Sequence, residues 1–551
     1  MHETRHGLKI EDFVGSVPAA GLVSNAYDAA TGWLDASRGA DGRWVRYARS
    51  DGGAVTACVS VAGTALYAYD KAGRRVRSVS PAGTLAFGHC PWNGLLAAVT
   101  NANGIVTAYA YDVMDRVTNV TWSARGGASL GGFSYAYDAI GRIVVREHAL
   151  GTNRFDRAYA YDGLGRLVSD GGVSYAYDAA GNRTAKRGDA GGDVAYALGA
   201  GDRLASWTGG SYDHDAAGCV TRIARGADTW DLTWNGQYQL VSVATNGAFA
   251  ELYAYDALGR RAATTSAAGT ERHVYDESWQ VIADVDESGN VIRAYEWGEG
   301  IDWLLAVRIG SRTYTALTDI QGTVWGYADE RGAVVARWTY DAWGNVLSEE
   351  VAASAAELRA VRYRFQGRER SAATGLVNFR MRWYDPATGR WLSKDPIGLS
   401  GGLNLYAFCA NNSLSYVDPS GRIIMISPHP DPSNWGCPPP DWHTRDRKRR
   451  NSPLPQTPPS DECESEWKKL PPWQSQYHDN GTGQPEEKYV HPDGREVVYD
   501  GDTKRPIIDP ALQGSYNYVN PATKGDSALS WTWRSIGHFC ADVLPYLIWG
   551  N

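Results

Sequence analysis

From residue 67 onward the chain keeps returning to one pattern: ring, small residue, ring, acid, two variable positions, glycine, then arginine or asparagine. Good copies open at Tyr67, Tyr109, Tyr135, Tyr159, Tyr175 and Tyr253, with degenerate ones around Asn25, Ser211, His273 and Thr339. Rings at i and i+2 with alanine between them are the alternation of a strand whose two faces differ. In Tyr159-Ala160-Tyr161 both rings therefore point one way and Ala160 the other. Asp162 starts a turn, because a carboxylate there bonds the backbone N–H groups just ahead of it. Gly165 supplies the positive φ that closes a four- or five-residue loop, often with a bulge. Arg166 begins the return strand within reach of Asp162, a pair worth about 0.2–1 kcal/mol if exposed. Each copy thus predicts strand, turn, strand, and successive copies predict a continuous antiparallel sheet.

The acids from Asp70 to Asp178 are spaced 42, 26, 24 and 16 residues apart, which excludes a solenoid of equal rungs. Stacked aromatic rings also bind sugars and bases. Here the same placement in every copy points to the packing unit of the sheet, with a ligand platform as the alternative.

The 551 residues include 62 Gly, 32 Tyr and 22 Trp against 9 Phe, the usage of many short strands joined by tight turns. A net charge of -8 is modest for this length and argues neither for nor against nucleic acid. Seven scattered cysteines make neither a disulfide framework nor a metal-ligand spacing, so no metal and no cofactor is implied. The N-terminus lacks a basic region followed by an apolar one, so no signal peptide is visible. The most apolar stretch, Phe539 to Trp549, is too short for a transmembrane segment and carries Asp542 and Pro545. The expected localisation is cytoplasmic as synthesised, with secretion or surface display by a signal-independent route left open.

From Tyr295 the pattern lengthens. Residues 314–348 still read as hairpins, with turns at Gln321-Gly322 and Arg331-Gly332, and Ala-rich 352–361 predicts a short helix. Then follow Phe365-Gln366-Gly367-Arg368, Thr374-Gly375-Leu376, Arg382-Trp383-Tyr384-Asp385-Pro386, Gly389-Arg390-Trp391-Leu392 and Asp395-Pro396-Ile397-Gly398-Leu399, with a second Asp-Pro-x-Gly at Asp418. After Arg422 the composition changes. Pro428 to Ser460 is a proline-dense linker with a basic cluster at 445–450, and 484–521 reads as short strands with turns near Asp493 and Asp500. The organisation expected is 1–294 repeat sheet, 295–422 core segment, 423–483 linker and 484–551 a small C-terminal variable segment.

The YxYDxxGR copies resemble the YD-repeat, or RHS-repeat, proteins: bacterial Rhs toxins, Tc-toxin C components and teneurins. The resemblance covers about Tyr27 to Arg422. It implies a mainly β fold, a spiral of antiparallel hairpins forming all or part of a hollow shell, here followed by a small mixed C-terminal segment. The pieces between Phe365 and Leu399 resemble the RHS repeat-associated core. That resemblance implies a self-cleaving aspartyl protease in which Asp395 and Asp418 are the paired acids and Arg382 supports them. Cleavage is then expected at Gly421, Arg422 and Ile423. Two carboxylates that share a proton split their pKa values, so one acts as base on water while the other protonates the leaving amine. Two features depart from the cleaving pattern: the stretch Leu399 to Val417 is one residue longer, and Arg422 stands where an apolar residue is usual. Asp-Pro-x-Gly is also a good type I turn by itself, so a purely structural plug is the competing reading.

The resemblance further implies that the C-terminal segment is an effector of a polymorphic toxin system, enclosed or presented by the shell. Its expected partners are a cognate immunity protein and a secretion machinery; nucleic acid enters only as an unknown target of that segment. Candidate polar groups there are His491, Asp493, Asp509, His538 and Asp542; His538 and Asp542 would share one face of a helix. Two alternatives remain: a noncatalytic surface or wall protein binding carbohydrate, and a truncated remnant of a longer Rhs protein.

Overall fold

The computed structural model describes residues 23–426, without 30, 40, 152, 189 and 190, together with 468–469, 486–490 and 496–500. The chain divides into two compact units. The first takes in 1–28, 34–49 and 55–431, and the second 29–33, 50–54 and 432–551. In the second, Glu486–Val490 pairs antiparallel with Glu496–Asp500. His538, Asp542, His491, Asp493 and Asp509 lie outside the described residues.

The first unit is dominated by a single 32-stranded sheet. Each strand pairs antiparallel with the one before and the one after it, from Ser24–Tyr27 to Val346–Val351. Among the described residues those two end strands do not pair with each other, so the ladder stays open.

The hairpin chemistry is as the sequence predicts. In the copy at Asp162, Oδ1 accepts the N–H groups of Leu164 and Arg166 at 3.0 and 2.9 Å, and Oδ2 accepts Arg166 Nε at 2.7 Å. Gly165 has φ 80°, and the register shifts at Ala160/Tyr161 as a bulge. The first ring, Tyr159, is buried, Ala160 is exposed, and the second ring, Tyr161, donates its hydroxyl to Ile143 O of the preceding hairpin at 2.7 Å. Arg166 in turn stacks on Tyr177 of the next copy at 4.9 Å. The tyrosines thus fasten each hairpin to its neighbours, the packing reading of the repeat.

The sheet folds onto itself. Val45, Cys58 and Ala65 from early strands pack against Val274, Ala283 and Val285. Leu85, Phe87 and Val99 meet Trp303 and Leu305. The strand Val324–Ala328 is buried at every position, which only a strand covered on both faces can be. The core segment supplies the second cover: Phe379, Tyr384, Trp391 and Phe408 join the cluster that holds Trp325 and Trp338.

Residues 352–361 form a short helix, as expected, but of the 3₁₀ kind rather than α. They make a 3₁₀ stretch, Ala353–Ala360, interrupted at Ala355. Alanine favours helix, but eight residues are too few to hold one alone. The buried pair Ala355 and Leu358 has the three-residue spacing that a 3₁₀ turn places on one side. Among the described residues no helix is long and apolar enough to cross a membrane.

Candidate functional site

Arg382 begins in the strand Arg382–Asp385, which belongs to a small four-stranded sheet of the core segment. Its guanidinium lies over Trp391 at 4.0 Å and is almost wholly buried. Nη1 reaches Asp395 Oδ2 at 3.0 Å, Nη2 reaches Asp418 Oδ2 at 2.9 Å, and Nε donates to the carbonyl of Gly421. One side chain therefore gathers both aspartates and the carbonyl of the expected cleavage region. Asp395 and Asp418 are 23 positions apart in sequence, and the structure brings them to the two ends of one guanidinium.

Each aspartate is also a turn residue. Asp395 O accepts Gly398 N–H at 3.0 Å and its Oδ1 accepts Ile397 N–H at 3.0 Å; Asp418 O accepts Gly421 N–H at 3.2 Å. Asp385 builds the same kind of turn, with Ala387 N–H on its Oδ1 at 3.0 Å. What separates them is the second carboxylate oxygen. That of Asp385 is spent on Arg225 at 2.5 Å and on the Tyr212 hydroxyl, which ties the core to the wall. Those of Asp395 and Asp418 both turn to Arg382.

The wholly buried Asp418 also holds the next stretch of backbone. Its Oδ1 accepts Arg422 N–H at 2.9 Å and Ile423 N–H at 3.1 Å, with Ser420 Oγ at 3.3 Å. The peptide between Gly421 and Arg422 is gripped from both sides, its oxygen by Arg382 and its N–H by Asp418. Gly421 is required here: its φ is 69°, and a Cβ would stand 2.5 Å from Phe379 O and 2.9 Å from Arg382 N. Burial pushes the Asp395 carboxyl up to about 6; Arg382 opposes the shift, Asp418 adds to it, and Arg422 opposes it. Arg422 is half-buried, and among the described residues its Nε finds no hydrogen-bond partner.

Three neighbours escape a reading of the sequence. Trp391 is the shelf under Arg382. Gly401 covers Asp395 so closely that a Cβ there would lie 2.5 Å from Oδ2, and the doubled glycine at 401–402 is the only trace of this in the sequence. Burial, with Asp418 adding, pushes the Cys409 thiol far up.

Two ion clusters fix residues 362–380 to the long sheet. Asp302 receives Arg368 at 2.8 Å and Arg380 at 2.7 Å. Asp284 receives Arg362 at 2.6 Å, Arg293 at 2.8 Å and His273 Nδ1 at 2.8 Å. Burial alone would raise the Asp284 carboxyl, but Arg362 and Arg293 hold it well below its usual range. Burial and Arg362 push His273 down to about 3, so its ring is neutral.

The Teneurin YD-shell family matches residues 126–414, more than half of the chain, and the RHS Repeat family matches 93–121. Among curated proteins, the chain is 31% identical over 344 residues to double-stranded DNA deaminase toxin A of Burkholderia cenocepacia, covering 57% of this chain and 22% of that one. Over 109 residues it is 38% identical to toxin protein Tse5 of Pseudomonas aeruginosa, covering 20% of this chain and 8% of that one. The chain thus spans less than a quarter of either relative. Among solved structures, "TcdB2-TccC3-Cdc42" aligns with TM-score 0.63 at 18% identity, over 73% of this chain and 24% of that chain. "TcdB2-TccC3 without hypervariable C-terminal region" aligns with TM-score 0.61 at 18% identity, over the same shares. At such identities these two likenesses speak for the fold. With the repeated hairpins, the long antiparallel sheet and the family match in agreement, this chain belongs to the Teneurin YD-shell family.

Proposed function

We propose that the chain is the shell-and-core part of a bacterial polymorphic toxin, which encloses or presents its C-terminal segment as an effector and cuts itself near Gly421–Ile423. The observation that carries the second half is the grip of Arg382 and Asp418 on the peptide between Gly421 and Arg422. The toxin relatives and the YD-shell match support the first half.

The chemistry assigned is hydrolysis by an acid and a base. Arg382 draws electron density from the carbonyl it bonds, as an oxyanion donor does. One carboxylate of the pair takes a proton from water as the oxygen adds to the carbonyl carbon. The other gives a proton to the leaving nitrogen as the C–N bond breaks; Asp418 is the one in contact with that nitrogen, accepting Arg422 N–H at 2.9 Å.

The test is a denaturing gel of the purified protein beside Asp395→Asn and Asp418→Asn. A C-terminal fragment of about 14 kDa is expected from the parent and from neither variant. A single full-length band in all three lanes overturns self-cleavage. Growth arrest on expressing residues 423–551 alone tests the effector role, and harmless high-level expression speaks against it.

A further inference from the structure

We propose that the turn tips bearing Trp92, Val113, Met114, Ile140 and Leu164 form a self-association surface on which a second copy of this chain docks. In an antiparallel meander every second turn lies on the same edge. Four successive turns of one edge follow the strands Gly83–His89, Val106–Tyr111, Ser129–Tyr137 and Asn153–Tyr161. Neighbouring turns are two strand spacings apart, so the row runs about 30 Å. Its side chains are 81%, 99%, 54%, 75% and 78% exposed, in the order named.

Farther along the same edge the chain covers its own turns. Asn411 donates to Gly181 O at 2.7 Å, Asn404 to Ala180 O at 3.1 Å and Tyr406 to Gly218 O at 2.9 Å. Those covered turns carry only alanines at their tips, Ala179-Ala180 and Ala216-Ala217. The turn of Leu164 is touched as well, Asn412 donating to Gly165 O at 3.0 Å, yet Leu164 stays exposed, as do the four tips before it. They are therefore not part of how this unit covers itself.

Three properties favour a second copy as the occupant. The first is area: the five residues, spread over four turns, together expose on the order of 700 Å² of surface. Two such rows would bury about 1,400 Å², within the range of stable specific interfaces. The second is charge. Three of the four acids of these turns are neutralised on the spot, Asp112 by Arg116 at 2.6 Å, and Asp138 by Arg142 and Asp162 by Arg166 at 2.7 Å each, and the fourth, Asp115, accepts Asn93 Nδ2 at 3.0 Å. A row meeting its own copy about a two-fold axis thus meets little repulsion. The third is rigidity: Asn93 donates to Asp115 at 3.0 Å and Arg74 to Gly94 O at 3.3 Å, which links tip to tip and lowers the ordering cost of docking.

The experiment is size-exclusion chromatography with light scattering, with sedimentation velocity, on the full chain between about 1 and 100 μM. Twice the 60.0 kDa chain mass is expected at the upper end. The double variant Ile140→Glu/Leu164→Glu, and separately Trp92→Arg, should raise the dissociation constant at least a hundredfold, because each charges an apolar anchor. Leu347→Glu, 49% exposed elsewhere on the sheet, should leave it unchanged. All these positions are exposed, so far-UV circular dichroism should match the parent. A monomer across the whole range overturns the proposal. So does a dimer that survives both tip variants, or a monomer whose tips engage only a different protein.

Discussion

Arg382 and Asp418 meet at 2.9 Å in a place where neither is open to water. Such a pair is held because neither charge can be left alone, rather than for its net contribution. Arg382→Ala should cost about 3–5 kcal/mol, since two buried carboxylates lose their common cation. Arg382→Lys should recover only part of that loss, a point charge being unable to serve two acids and a carbonyl at once. Urea denaturation of the three proteins measures both.

The Asp395 carboxyl has a pKa of about 6 when folded, above the ordinary value near 3.9. A raised carboxyl stabilises the folded state in its protonated form. Its contribution is complete below the unfolded value and is lost as pH rises through about 6. The parent should therefore lose stability relative to Asp395→Asn between about pH 4 and 7. Arg422→Leu removes a charge that opposes the shift, so the midpoint should move upward. Denaturation midpoints measured across that window decide both points; parallel curves for parent and Asp395→Asn would contradict them.

Gly421→Ala should cost roughly 1–3 kcal/mol through backbone strain at its positive φ, before the clash with Phe379 O is counted. It should also displace the carbonyl from Arg382, so any self-cleavage should slow more than in Ser420→Ala. Thermal melts and the gel assay together separate the two effects.

The turns offer a comparison inside one protein. Asp162 and Asp256 make the same bonds to their backbones and arginines, but the pair Asp256–Arg260 is far more buried than Asp162–Arg166. Asp162→Ala should cost about 1–2 kcal/mol, and Asp256→Ala more, because buried Arg260 would be left unpaired. Chemical denaturation gives the ordering, and equal losses would refute it.

Asp284→Ala removes the buried anion that Arg362 and Arg293 share, leaving them only Glu369 and Glu271, and it should loosen the core segment from the wall. Hydrogen exchange is expected to rise first around residues 362–369 rather than evenly over the sheet.

The hairpins were legible because everything that makes them lies within about eight residues: ring alternation, a carboxylate that bonds the next N–H groups, and a glycine at positive φ. The paired aspartates and Arg382 were legible through resemblance, and the structure brings the three together. Trp391 and Gly401 were not, since nothing local distinguishes a tryptophan under a guanidinium from one in a core. The short helix expected at 352–361 is there, but its 3₁₀ pitch was not legible, for a similar reason. Alanine content states a preference, while burial of Ala355 and Leu358 set the pitch.

The same three letters show where sequence stops. In Tyr159-Ala160-Tyr161 the alanine is exposed, and in Tyr253-Ala254-Tyr255 it is buried, lining a cavity together with Ser37 and Val45. The sequence by itself determined the hairpin, its bulge, its turn and the order in which hairpins pair, all of them short-range consequences of sterics and hydrogen bonding. Only the tertiary structure decided which faces are covered twice, which turn tips stay bare, and that one buried arginine serves two aspartates and the carbonyl of Gly421. Those outcomes depend on contacts between residues tens to hundreds of positions apart, whose desolvation no local pattern encodes.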